Sequence, residues 1–316
     1  MPRAQSTTFM FSGQGSHYYQ MGRDLFATDR IFRTWLGDLD TVARDAIGTS
    51  VIAAMYDHAR RKGDPFDRLE LTHPAIFMVE VALAHTLIAR GIVPACALGV
   101  SLGAFAAATI AGCLEPETAL RAVIAQARII RAHCRPGGMI AVLASVSTCN
   151  RHVLSGACEI AAVNGAAHFV VAAPANRLPE IEAHFRRTQV SFQRLPVAYA
   201  FHSKWIDEAR GALEADMRAV PVKPARLPLA CCALAAQLTA IPDDYFWQVV
   251  RRPIRFQEII EMLERSGGQR FVDAGPAGSL AAVLKQMLPK TSVSTVRAIM
   301  SPFGGDTRAV ELLAGS

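Results

Sequence analysis

The sequence predicts an α/β chain carrying a small α+β insert, and three observations lead there. An apolar run from Ile92 to Leu98 passes through Gly99-Val100-Ser101-Leu102-Gly103 into the Ala-rich run from Ala104 to Ala111. That is the pattern of a buried parallel strand, a sharp turn and a buried helix. A breaker cluster, Cys134-Arg135-Pro136-Gly137-Gly138, ends a long helical pattern and opens a stretch of short strand-like segments. Arg270-Phe271-Val272-Asp273 then reads as a strand entering Ala274-Gly275-Pro276, where the larger unit resumes.

In chain order, Thr7 to Phe11 is a short strand ending in the glycine turn Gly13-Gln14-Gly15-Ser16. Helical patterning covers Met21 to Arg61 and Thr72 to Arg90, then Glu115 to His133 after the Ser101 turn. Beyond the breaker, Met139 to Val146, Cys158 to Val163, Phe169 to Ala173 and Val190 to Val197 read as strands, with a helix over Leu178 to Thr188. Helical patterning returns after His202. The expected division is 1–136 and 200–316 for the large unit and 137–199 for the insert.

A chain of 316 residues can bury a large core. Its 33 Lys and Arg against 27 Asp and Glu form no long single-sign block, so no nucleic-acid partner is implied. Seven cysteines make no CxxC pair, and their odd number suggests no disulfide framework, which points to the reducing cytoplasm. Met1 to Thr8 shows no signal-type apolar region. Ile92 to Leu114 is uncharged and long enough for a membrane span, yet Pro94, Gly99, Ser101 and Gly103 interrupt it, so no membrane is expected. The His and Cys residues lack metal-ligand spacing.

The chemistry converges on Ser101. In a G-x-S-x-G turn between strand and helix the glycines permit close packing and the serine projects above the sheet. A buried structural serine in a tight turn is the bland competitor, and a lone motif would not separate the two. A serine hydroxyl is a weak nucleophile that needs a base within hydrogen-bond reach, and neutral imidazole suits that near pH 7. The Gly13-Gly15 turn could be a phosphate-cradling loop, but no GK[ST] ending follows.

Taken together, Phe11-Ser12-Gly13-Gln14-Gly15-Ser16, Gly99 to Gly103, Val163-Asn164-Gly165, Ala200-Phe201-His202-Ser203 and Asp273-Ala274-Gly275-Pro276 give a sequence that resembles the acyltransferase family of malonyl-CoA:acyl-carrier-protein transacylases and polyketide-synthase acyltransferase domains. The resemblance spans nearly the whole chain. It implies an α/β-hydrolase-like large subdomain with an inserted ferredoxin-like small one. It also implies a Ser101–His202 dyad, with His202 oriented by a main-chain carbonyl expected in the turn near Gln248 to Arg251. The oxyanion would meet the N–H groups of Gln14 and Leu102. No cofactor is expected to be bound; the substrate would be a phosphopantetheine thioester of an acyl carrier protein or CoA.

The departures from the family pattern bear on specificity. Dicarboxylate-loading members carry an arginine on the helix after the elbow that clamps the free carboxylate, and Gln126 stands at that position here. Losing a buried charge-assisted pair costs on the order of 3–5 kcal/mol, so a neutral acyl group is expected to be preferred. Arg128 lies about 200° further round the helix and should not substitute. Val100 replaces a histidine usual before the nucleophile, His73 stands in Thr72-His73-Pro74 where glutamine is common, and Tyr199-Ala200-Phe201 mixes malonyl and methylmalonyl signatures. Gln126, Phe201, Val100 and His73 are thus the expected acyl-pocket residues, with positive charge from His73 as one route to retained carboxylate binding. The expected activity resembles that of proofreading acyl hydrolases, which clear stalled chains from carrier proteins in trans-acyltransferase polyketide pathways. Acyl carrier protein and polyketide synthase modules would be separate partners. The alternatives are a malonyl-CoA:acyl-carrier-protein transacylase and, in another class, an inactive carrier-protein docking module.

Overall fold

The computed structural model describes residues 5–148, 156–265 and 267–315; Cys149, one of the cysteines counted above, lies outside them. Its strands are β1 (Ser6–Phe11), β2 (Cys96–Gly99), β3 (Gly137–Val142), β4 (Glu159–Gly165), β5 (His168–Pro174), β6 (Phe192–Arg194), β7 (Leu229–Cys231), β8 (Ala236–Leu238), β9 (Gln269–Asp273) and β10 (Thr295–Ala298). They form two sheets.

The larger sheet has the order β10-β9-β1-β2-β7-β8, parallel throughout except for the terminal β7–β8 hairpin. Side chains alternate across it: Phe9 and Phe11 of β1 enter one core, while Met10 enters another with Leu98, Phe256 and Phe271. On the Phe9 side lies the helix Leu69–Ala89, buried on nearly all faces. Among the described residues it is the helix long and apolar enough to cross a membrane, and its burial in the core explains that composition. Because Phe11 pairs with Gly99 in register, the chain leaves β1 and β2 side by side at the same edge of the sheet. Open parallel sheets bind ligands outside such carboxyl ends.

The second sheet is antiparallel, in the order β4-β5-β3-β6. Ile140, Val142, Phe169 and Val171 face the helix Leu178–Arg187 through Leu178, Ile181 and Phe185. The alternate residues Met139, Ala141 and Val170 face the opposite way, into a cleft. Two backbone hydrogen bonds tie this sheet to the larger unit: Ile254 N–H to the Ala161 carbonyl at 2.8 Å and Val163 N–H to the Ile254 carbonyl at 3.1 Å.

Several elements differ from expectation for identifiable reasons. The long helical stretch after Met21 is divided into Arg23–Thr28, Arg30–Ile47 and Val51–Met55. The breaks fall at N-caps, where Asp29 accepts from Ile31 and Phe32 and Ser50 accepts from Ala53. The last strand of the insert is confined to Phe192–Arg194, next to Pro196, which cannot donate to a ladder. Strands β7, β8 and β10 were not expected; at three or four residues they are too short for a periodicity to register.

Candidate active site

Ser101 sits at φ +55°, a conformation that non-glycine residues seldom adopt, in the turn between β2 and the helix Gly103–Ile110. The flanking glycines make the turn possible. A Cβ on Gly99 would collide with the backbone of Ala104, and one on Gly103 with the Phe11 carbonyl. Gly13, in the loop after β1, lies against the same turn, and a Cβ there would stand 3.0 Å from Ser101 Cβ and from the Val100 carbonyl. The sharp turn and the first glycine loop are thus packed backbone to backbone.

His202 reaches this turn from a second irregular point, at φ +59°. Its Nε2 lies 2.8 Å from Ser101 Oγ, and its Nδ1 lies 2.8 Å from the Arg252 carbonyl oxygen. A carbonyl can only accept, so Nδ1 carries the proton and Nε2 presents its lone pair to the serine. Burial lowers the imidazole pKa to about 4 against the opposing effect of the Arg252 carbonyl, leaving the ring neutral at pH 7. The orienting carbonyl falls just outside the expected turn near Gln248 to Arg251. The helix Tyr245–Arg251 ends with Arg252 at ψ 149°, before Pro253. A residue preceding proline is pushed to extended backbone, which takes the Arg252 carbonyl out of the helical ladder and frees it for His202. Arg252-Pro253 was the signal in the sequence that could have located it.

Two backbone donors flank the serine. Among the described residues neither the Gln14 N–H nor the Leu102 N–H has an acceptor in the chain. The Gln14 loop is held from several directions. Gln14 Nε2 donates to Thr72 Oγ1 at 3.1 Å, and the Gly15 N–H donates to His17 Nδ1 at 3.2 Å. His17 Nε2 lies 2.7 Å from the Phe66 carbonyl, so this buried ring is neutral with a fixed tautomer, its pKa lowered to about 4 by burial. His17 therefore does more than pack, since it holds the loop beside the serine.

The expected pocket residues divide between two spaces that meet at Ser101. The larger is a cleft of about 480 Å³ between the two sheets, reached by Val100, Ser101, Phe201 and His202. Its wall is apolar, interrupted by neutral groups such as Asn164, Ser191 and Gln193, and among the described residues includes no Asp, Glu, Lys or Arg. The smaller is a recess of about 10 Å³ bounded by Gln14, His73, Ser101, Leu102, Gln126 and Phe201. Gln126 is 2% exposed, and among the described residues its Oε1 has no hydrogen-bond partner. His73 is equally buried, and desolvation lowers its pKa to about 3. It is therefore uncharged and supplies no positive charge to a carboxylate, contrary to the route considered from the sequence. Arg128 points away and donates to the Ala46 carbonyl at 2.8 Å. Among the described residues no group of three His, Cys, Asp or Glu side chains could hold a metal.

The acyl transferase domain family matches residues 8–311. The polyketide biosynthesis acyltransferase homolog BaeD of Bacillus velezensis is 43% identical over 300 residues, which is 95% of this chain and 93% of BaeD. The homolog PksD of Bacillus subtilis is 38% identical over 93% of this chain and 91% of its own length. Among solved structures, the acyltransferase domain from the second module of the salinomycin polyketide synthase superposes with a TM-score of 0.86 at 27% identity, over 98% of this chain and 72% of that one. The loading acyltransferase of the avermectin synthase shares the fold, with a TM-score of 0.90 at 22% identity over 98% of this chain and 99% of the other.

Proposed function

Because the chain belongs to the acyl transferase domain family, we propose that it is a Ser101–His202 enzyme that takes neutral acyl groups from carrier-protein thioesters and passes them to water. The observation that carries this reading is the Ser101–His202–Arg252 carbonyl relay opening on a cleft whose lining, among the described residues, includes no Asp, Glu, Lys or Arg. His202 Nε2 accepts the Ser101 proton as Oγ attacks the thioester carbonyl. The Gln14 and Leu102 N–H groups receive the oxyanion, and preorganised donors of this kind are each worth about 3 kcal/mol. The imidazolium then protonates the departing pantetheine sulfur. In the second half, water gives its proton to Nε2 and attacks the acyl-Ser101 ester, and collapse returns the proton to Oγ and releases the free acid.

Selectivity follows from charge. A malonyl carboxylate brought to Ser101 would meet the neutral Gln126 and His73 and no guanidinium, and a buried carboxylate without a cation is strongly disfavoured. The strand order β4-β5-β3-β6 supports a ferredoxin-like insert over 137–199 within an α/β-hydrolase-like unit formed by 1–136 and 200–316. The partners in this reading are acyl carrier proteins of polyketide synthase modules, and their pantetheine arm would thread the cleft between the two sheets. Among the described residues Cys96, Cys113, Cys134, Cys231 and Cys232 form no disulfide, which suits a reducing cytoplasm.

The experiment offers acetyl, butyryl and malonyl groups on a carrier protein, with and without a second, free carrier thiol. Release of acetate and butyrate as free acids, unaffected by the second carrier, is the expected result. Quantitative transfer to the second carrier makes the protein a transferase, and no Ser101 acylation by any donor leaves the docking module.

A further inference from the structure

The loop that presents the Gln14 N–H is tied to the core by one fully buried carboxyl. Glu80, on the helix Leu69–Ala89, places Oε1 2.7 Å from the Ser12 nitrogen, which donates to it, and 3.0 Å from Ser12 Oγ. Ser12 Oγ also lies 3.0 Å from Ser16 Oγ, and the Ser16 hydroxyl donates to the Gly13 carbonyl at 2.8 Å. Ser12 and Ser16 therefore bracket Gly13-Gln14-Gly15, and the series of contacts begins at Glu80. We propose that Glu80 is a positioning residue for the oxyanion donor: through Ser12 and Ser16 it fixes where the Gln14 N–H points.

The surroundings of the carboxyl favour a neutral Glu80. Its Oε1 accepts from the Ser12 N–H and from Ser12 Oγ, while Oε2 is buried with no hydrogen-bond partner among the described residues and no cation bonds to either oxygen. Burial, with the nearby Asp273 charge adding to it, raises the Glu80 pKa well above its ordinary value. Asp273 is the other carboxyl beside this loop; it accepts from the N–H groups of Gly275 and Ala281, and Gly275 packs directly on Ser12. The loop is thus gripped on one face by Glu80 and backed on another by Gly275. Among the described residues Glu80 Oε1 is the acceptor recorded for the Ser12 N–H, where the chain leaves β1.

This inference rests on the reading of Ser101 as nucleophile and Gln14 N–H as oxyanion donor, and the test separates the two. Glu80→Leu keeps the volume and removes the acceptor; Glu80→Gln keeps an acceptor for the Ser12 N–H. With a neutral acyl thioester, on protein shown by its melting curve to be folded at the assay temperature, Glu80→Leu is expected to lower kcat about 10²-fold with KM changed little, the size expected for a displaced oxyanion donor. Glu80→Gln is expected to recover at least tenfold of that loss. If Glu80→Leu does not fold, Ser12→Ala breaks the same series of contacts and is expected to lower kcat several-fold. A folded Glu80→Leu, or failing that a folded Ser12→Ala, with the parent kcat overturns the inference. Loss of turnover in Ser101→Ala beside such a result leaves the nucleophile reading standing, whereas turnover retained by Ser101→Ala overturns that reading instead.

Discussion

The two spaces that meet at Ser101 are built in opposite ways. The cleft of about 480 Å³ is wide, predominantly apolar and shared between two sheets. The recess of about 10 Å³ is tight and is bounded by helix residues together with the Gln14 loop, the Ser101 turn and Phe201; among the described residues Gln126 Oε1 and both His73 nitrogens are buried with no hydrogen-bond partner. Among the described residues neither is lined by an Asp, Glu, Lys or Arg. The cleft has room for an acyl-pantetheine chain, whereas the recess has space for about one water molecule and offers a carboxylate no cation. In the proposed function, selectivity against acidic acyl groups would belong to the recess, and capacity for the substrate to the cleft.

That division can be broken most severely at the point both spaces share. Ser101→Ala is expected to reduce turnover at least 10⁴-fold while leaving the melting temperature near that of the parent, measured as free-acid release from a neutral acyl-carrier protein. His202→Ala should behave alike, since the two act as a unit and their losses do not add. Equal activity in either variant would remove the relay from the chemistry.

The next effect tests the floor between the spaces. Gly13→Ala places a Cβ 3.0 Å from Ser101 Cβ and the Val100 carbonyl, so the loop must shift to admit it. A displacement of about 1 Å in an oxyanion donor is expected to cost about 10²-fold in kcat, read in steady-state assays with KM little changed. Parent-like kcat would mean that the Gln14 N–H does not bear on the reacting carbonyl.

Gln126→Arg sharpens the assignment of selectivity to the recess. It is expected to raise malonyl loading of Ser101 relative to acetyl loading about tenfold, by competition between the two donors. The same variant should melt at a lower temperature without ligand, because an unpaired guanidinium would sit where Gln126 is 2% exposed. No change in the malonyl-to-acetyl ratio would place the determinant elsewhere.

The smallest effect is in pH. His202 is held neutral by burial, with a pKa of about 4, so the acid limb of kcat/KM should have its midpoint near pH 4 rather than near 6.5. A midpoint near 6.5 would indicate a solvated ring. Stability carries the corresponding sign. Between pH 6.5 and about 4 the unfolded chain takes up a proton that buried His202 refuses, so this group's contribution falls as pH drops through that window. Asp273 works in the opposite sense. Burial raises its pKa to about 6, so its contribution falls as pH rises from its ordinary value toward 6.

The site was more legible in the sequence than the sheet that carries it. Gly99, Ser101 and Gly103 have one use in common, a turn too tight for any Cβ at its ends, and short-range sterics of that kind are written locally. His202 was found through its neighbours in sequence, and the structure brings it to Ser101 across 101 positions. Three things were hidden. The orienting carbonyl belongs to the backbone, so only the Arg252-Pro253 constraint marked it. The neutrality of His73 depends on its being 1% exposed, which its identity does not reveal. Strands β7, β8 and β10 are defined by their neighbours in the sheet rather than by local pattern: Leu229–Cys231, three residues long, pairs in parallel with Ala97–Gly99 of β2.

The most direct measurement is intact-protein mass spectrometry of Ser101 after equal exposure to acetyl- and malonyl-carrier protein. The expected result is an acetyl adduct that forms and then decays with the appearance of acetate, and no malonyl adduct above the level seen in Ser101→Ala. A malonyl adduct that forms rapidly and persists until a carrier thiol removes it would contradict the neutral-chamber reading.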